Sequence, residues 1–178
     1  MARTRDVFLS KPNALNAEQS AFCNRLQEIL SERGLRARTL GETDYPNEAP
    51  VAAVKTVLRD CDGAIILGLA QLRVGHGVLK AGTEAEKSAA GTIWPTAWNH
   101  IEAGMAFAMG VPLLVIREDG VAGGVFDVGS TDRFVHQAPM SADWLAGPRF
   151  LQPFNDWLEE LRHEADPPHR TRASTRTV

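Results

Sequence analysis

The chain has 178 residues, of which 44% are hydrophobic and 23% charged, with a formal net charge of −3. That length supports one domain with a real core, and the composition is that of a globular protein rather than a disordered or membrane-embedded one. The slight negative charge excludes a global basic field for nucleic acid, and no apolar run reaches membrane-spanning length, so neither nucleic acid nor a membrane is an expected partner.

The start, Met1 to Asp6, carries no apolar signal core, which makes a cytoplasmic protein the default expectation. Val7-Phe8-Leu9-Ser10 predicts a first strand, broken by Lys11-Pro12-Asn13. Asn16 suits the N-cap of a helix whose apolar face holds Phe22, Leu26, Ile29 and Leu30, and Gly34 ends it. Leu35 to Leu40 alternates and predicts a second strand. After a polar, turn-rich loop from Gly41 to Ala49, Pro50 opens a helix with Val51, Val54, Val57, Leu58 and Cys61 as its apolar stripe. Both cysteines, Cys23 and Cys61, thus fall in predicted helices without His or Cys at ligand spacing; they read as buried thiols, and no metal site is expected.

Asp62-Gly63 turns into Ala64 to Leu69, a continuous apolar run suited to a strand buried on both faces. Residues 70–95 show little periodicity and contain Gly75, Gly77, Gly82 and Gly91. A loop of that length reads equally as a lid over a substrate or as an insertion without a role. Thr96 caps a third helix, Ala97 to Met109, and Val111 to Ile116 is another apolar strand. Phe134-Val135 predicts a short fifth edge strand, and Pro153 to His163 a last amphipathic helix. Residues 164–178 are rich in Pro, Arg and Thr and predict a disordered tail behind a single domain spanning residues 1–163. Strands alternating with helices predict an α/β fold: a mostly parallel sheet of about five strands, helices on both faces, and a ligand crevice at the strands' C-terminal ends.

Ser10, Lys11 and Asn13 follow the first strand and should meet the start of the third helix at that rim. Glu102 is the candidate catalytic residue. Trp98 stands one turn before it, and Asn99 lies within hydrogen-bonding reach three residues back. A carboxylate there suits the cleavage of a bond between a sugar and a base, because it can stabilise an oxocarbenium-like cation or form a covalent sugar intermediate. Burial beside Trp98 would raise its pKa; the helix N-terminus and Lys11 would oppose that. An acid in early helical turns also suits the macrodipole, and a surface position is the ordinary reading. Trp98 suits stacking on a flat ring, Ser10 and Lys11 suit a phosphate, and His100 is expected to be exposed opposite the core.

The opening strand Val7-Phe8-Leu9-Ser10 and the segment Trp98-Asn99-His100-Ile101-Glu102 resemble TIR domains, in which a Trp stands four residues before the catalytic glutamate. The run from Ile101 to Ile116, with its Glu102-Ala103-Gly104-Met105-Ala106 segment, resembles nucleoside 2-deoxyribosyltransferases, in which that glutamate is the nucleophile. The resemblance covers roughly the first two thirds of the chain. It implies a flavodoxin-like three-layer sandwich. It also implies an N-glycosidase acting on NAD, or next on a nucleoside or nucleoside monophosphate, with NAD as substrate and no cofactor. Glu102 would be the catalytic group, and Ser10, Lys11, Asn13, Trp98 and Asn99 would bind substrate. The TIR likeness further implies homo-oligomeric assembly and a role in antiviral defence. Where the deoxyribosyltransferases carry base-handling aspartates, this chain offers Thr96, Val54 and Lys55. A nucleotide sensor without turnover and a TIR-like interaction scaffold are the alternatives.

Overall fold

The computed structural model describes residues 4–131 and 133–165. Five strands form one wholly parallel sheet: β1 (Arg5–Ser10), β2 (Leu35–Arg38), β3 (Gly63–Gly68), β8 (Leu113–Glu118) and β9 (Val135–Ala138), in the order β2-β1-β3-β8-β9. Between them run α1 (Ala17–Glu32), α2 (Pro50–Arg59) and α3 (Ala97–Ala108), and after them α4 (Ala142–Ala146) and α5 (Pro148–Ala165).

The alternation of side chains along each strand builds two cores. Val7, Leu9, Ile65, Leu67, Leu114 and Ile116 face α1, α4 and α5, while Phe8, Ala64, Ile66 and Val115 face α2 and α3. The result is the flavodoxin-like three-layer sandwich. Its first two crossovers leave opposite sides of β1, so the C-terminal ends of β1 and β3 flank the topological switch point. The α5 layer is tied to the sheet by Trp157, whose indole Nε1 donates to the Pro112 carbonyl at 3.1 Å. Phe150, Phe154 and Trp157 stack in sequence along the same helix, at centroid spacings of 4.9 and 5.8 Å.

Most boundaries follow local chemistry. Asn16 and Gln19 form the capping box that starts α1, and Gly34 takes a φ of 74° directly after it, a conformation that only glycine adopts without strain. Several expectations are corrected. Cys61 lies beyond α2, which ends at Arg59, and Val51 is exposed rather than part of the buried stripe. The last helix begins at Pro148 and carries Pro153 inside it; the short α4, capped by Ser141, precedes it. His100 is half-buried, in an edge-on contact with Phe126 whose ring centroids are 5.2 Å apart. The first two positions of the expected tail, 164 and 165, belong to α5, and the rest of it, from Asp166 onward, lies outside the described residues.

The largest correction concerns residues 70–95. They form two short antiparallel pairs, β4 (Leu72–Arg73) with β7 (Ile93–Trp94) and β5 (Val78–Leu79) with β6 (Lys87–Ser88). The ribbon is fastened at its base, where Ala122 N–H donates to the Ile93 carbonyl at 3.1 Å. Two-residue strands carry no periodicity, which is why the pattern reads as a loop.

Gly68 closes β3 under the ring of Phe126. A Cβ there would lie 2.4 to 2.8 Å from three ring atoms, and Phe126 is fully buried. Gly68→Ala is therefore expected to lower stability by about 1–3 kcal/mol, read as a drop in the midpoint of thermal unfolding.

Candidate active site

The site begins with a helix start. Thr96 Oγ1 accepts from the Asn99 backbone N–H at 3.2 Å and donates to Asn99 Oδ1 at 2.8 Å, which fixes both the first turn of α3 and the Asn99 rotamer. The Asn99 amide Nδ2 then donates to Ser10 Oγ at 2.7 Å. Ser10 in turn donates its hydroxyl proton to Glu102 Oε2. This chain of contacts joins the end of β1 to the second turn of α3 across the switch point. The expected direct contact between Asn99 and Glu102 is replaced by one relayed through Ser10.

Ser10 is only 2% exposed and Glu102 only 9%. Burial raises the Glu102 carboxyl to about 7, and the Ser10 hydrogen bond works against that shift. At neutral pH the group is therefore divided between its acid and carboxylate forms.

Glu102 opens into a cleft of about 470 Å³. One wall is the start of α3, with Thr96, Trp98 and Asn99; the other is the connection from β2 to α2, with Asp44, Tyr45 and Glu48; Lys11, Pro12 and Asn13 lie at the end of β1. Trp98 is 43% exposed, leaving ring surface for a ligand. Gly104, by contrast, faces open space, and Ala103 packs into the core below α3, so neither shapes the approach to Glu102.

The structure thus brings Lys11, Asn13, Trp98, Asn99 and Glu102 to one cleft and sets Ser10 behind it. Ser10 is absorbed by Glu102 and Asn99, so its hydroxyl orients the carboxyl rather than facing a phosphate. Lys11 is paired with Glu42, which neutralises the cation nearest the site. The sequence reading passed over Asp44 and Tyr45. Asp44 is held by Arg38, whose Nε donates at 3.0 Å, and that contact keeps its carboxyl below the usual range. Tyr45 is the one tyrosine of the chain, set in a loop otherwise polar and turn-rich; that isolation was the available signal.

Ser10→Ala removes the contact that favours the Glu102 carboxylate and leaves the buried Asn99 amide short of an acceptor. The expected outcome is a stability loss of about 1–3 kcal/mol together with a Glu102 titration moved to higher pH, read by NMR of the carboxyl carbon. An unchanged Glu102 midpoint would count against the relay.

No protein-family model and no curated protein matches this chain. Among the described residues no cluster of His, Cys, Asp and Glu could hold a metal ion, and no helix is long and apolar enough to cross a membrane.

Proposed function

We propose that this protein is an N-glycosidase that cleaves the bond between a ribosyl group and its base, with NAD first among substrates and nucleosides or nucleoside monophosphates next. The observation that carries this reading is the buried Glu102 carboxyl, tuned near neutrality and opening beside an exposed tryptophan at a sheet switch point. The likeness of its flanking sequence to TIR domains and deoxyribosyltransferases supplies the reaction class.

In the proposed reaction the base leaves with the electron pair of its bond to C1 of the ribose. The Glu102 carboxylate either bonds to C1 or stabilises the cation formed there. Water then adds its oxygen to C1; where Glu102 had bonded there, the C1–O bond to Glu102 breaks and its electron pair returns to the carboxylate, and the water proton passes to solvent, or to the departed base when that base leaves as an anion. Trp98 stacks on the base and Asn13 lines the entrance. A phosphate reaches Lys11 only by competing with Glu42.

Incubating the protein with NAD and a panel of nucleosides and nucleoside monophosphates, and separating the products by chromatography, tests the reading. Released base supports it; intact substrates throughout refute it. A second reading, a nucleotide sensor, draws on Thr96 and Val54, which line the cleft in stretches where deoxyribosyltransferases carry base-handling aspartates. Under that reading nucleotides raise the unfolding midpoint without any product.

A further inference from the structure

The β2–α2 connection offers an aromatic ring to the cleft on a braced support. The Thr39 carbonyl accepts from the backbone N–H groups of Glu42, Thr43 and Asp44 at 3.0 to 3.2 Å, and Gly41 N–H donates to the Asp44 carbonyl at 2.9 Å. Arg38 holds the Asp44 side chain, and Pro46 restricts the backbone of the residue before it. Tyr45 stands between these constraints, 76% exposed and lining the cleft. Among the described residues its hydroxyl has no hydrogen-bond partner, and neither its ring nor that of Trp98 packs against another aromatic ring. An aromatic side chain exposed on a fixed turn serves neither the core nor the loop's own geometry.

The electrostatics of the walls point the same way. Lys11 is neutralised by Glu42 and Asp44 by Arg38, which leaves Glu48 to add negative charge to the same cleft. Anionic groups gain little from such walls, which leaves the ring faces to provide affinity.

We propose that Tyr45 is a specificity-determining residue of this site, a second stacking face from the wall opposite Trp98, so that the ligand is selected by a planar heterocycle held between the two rings. This rests on reading the cleft as a base-and-pentose site. It goes beyond that reading in assigning base selection to the β2–α2 connection, and it holds whether or not the bound glycoside is cleaved.

The test measures equilibrium binding of NAD and of adenosine to the full chain and to Tyr45→Ala and Tyr45→Phe, with ribose 5-phosphate as a base-free probe. Glu102→Gln is the common background, so that turnover does not intrude. Tyr45→Ala is expected to weaken NAD or adenosine by about tenfold or more, Tyr45→Phe to bind within about twofold of the parent, and ribose 5-phosphate to be unaffected by either change. In the Glu102-containing protein the Tyr45→Ala loss is expected in KM, with kcat retained. Affinity for the heterocycles unchanged in Tyr45→Ala overturns the proposal, as does a loss that Tyr45→Phe fails to restore or one shared by ribose 5-phosphate. Failure of both heterocyclic probes to bind the parent overturns it together with the glycosidase reading. Tyr45-dependent binding with no base released by the Glu102-containing protein supports it and sinks that reading alone.

Discussion

Glu102→Gln is expected to lower the rate of base release from NAD by on the order of 10³-fold or more while the protein stays folded. The substitution keeps the size of the side chain and an oxygen to accept from Ser10, but it removes the negative charge that a sugar cation requires. Its effect on stability has the opposite sign from that of an ordinary buried substitution. In the folded protein the Glu102 carboxyl titrates near 7, against an ordinary value of 4.5. Between those two values the folded state holds a proton that the unfolded state has released, so stability falls as pH rises through that window. The penalty is complete above about pH 7 and amounts to on the order of 3 kcal/mol. A neutral amide escapes it. The unfolding midpoint of Glu102→Gln is therefore expected to exceed that of the parent at pH 8 and to match it near pH 4.5. A variant that loses stability equally at both pH values would show that the carboxyl is not desolvated in the folded protein.

The second large effect is the pH dependence of catalysis. If the ionised form of Glu102 meets the sugar, kcat/KM rises with pH and levels off above about 7, the value to which burial raises the group. Below that midpoint each pH unit is expected to reduce the rate about tenfold, because the reactive carboxylate fraction falls in that proportion. Activity and stability thus run in opposite directions across the same interval, from one titration. Rate profiles collected from pH 5 to 9 on the parent and on Ser10→Ala separate this group from any other: the parent midpoint lies near 7 and the variant's lies higher. A profile flat from pH 5 upward would place the active carboxylate in ordinary solvent and remove Glu102 from the role.

The sheet was legible because its strands are either continuous apolar runs, as in Ala64 to Leu69, or short segments flanked by clear breakers, as in Lys11-Pro12 after β1. Helix starts were legible through their caps: Asn16 and Thr96 both lie where the expected capping chemistry needs them. The ribbon of residues 71–94 was not, because pairs of two residues leave no period to detect and their order comes from cross-strand hydrogen bonds. The last helix is longer than its sequence signal, because a proline such as Pro153 ordinarily marks a helix start, whereas here Phe150 and Phe154 pack together on either side of it within one helix.

The candidate site was legible in part for a similar reason. Trp98 and Glu102 share one helix at a spacing that can be counted, and the end of β1 is fixed by the strand order. The partnership of Ser10, Asn99 and Glu102 joins positions some ninety residues apart, and only the parallel register of β1 and β3 brings it together. Tyr45 escaped because its neighbours Asp44 and Pro46 mark a turn and nothing more; its place on the cleft wall depends on how that turn folds back onto Thr39.

The side chain of Asn99 has both of its ends committed, its oxygen to Thr96 and its nitrogen to Ser10. Aspartate, one atom different and an equally good partner for a helix start in other settings, would offer Ser10 an oxygen where it now receives a proton, and would add a second negative charge beside Glu102. Position 99 therefore takes the amide and not the acid for the sake of Ser10 and Glu102 alone, because the backbone N–H of residue 99 reaches Thr96 Oγ1 with either side chain.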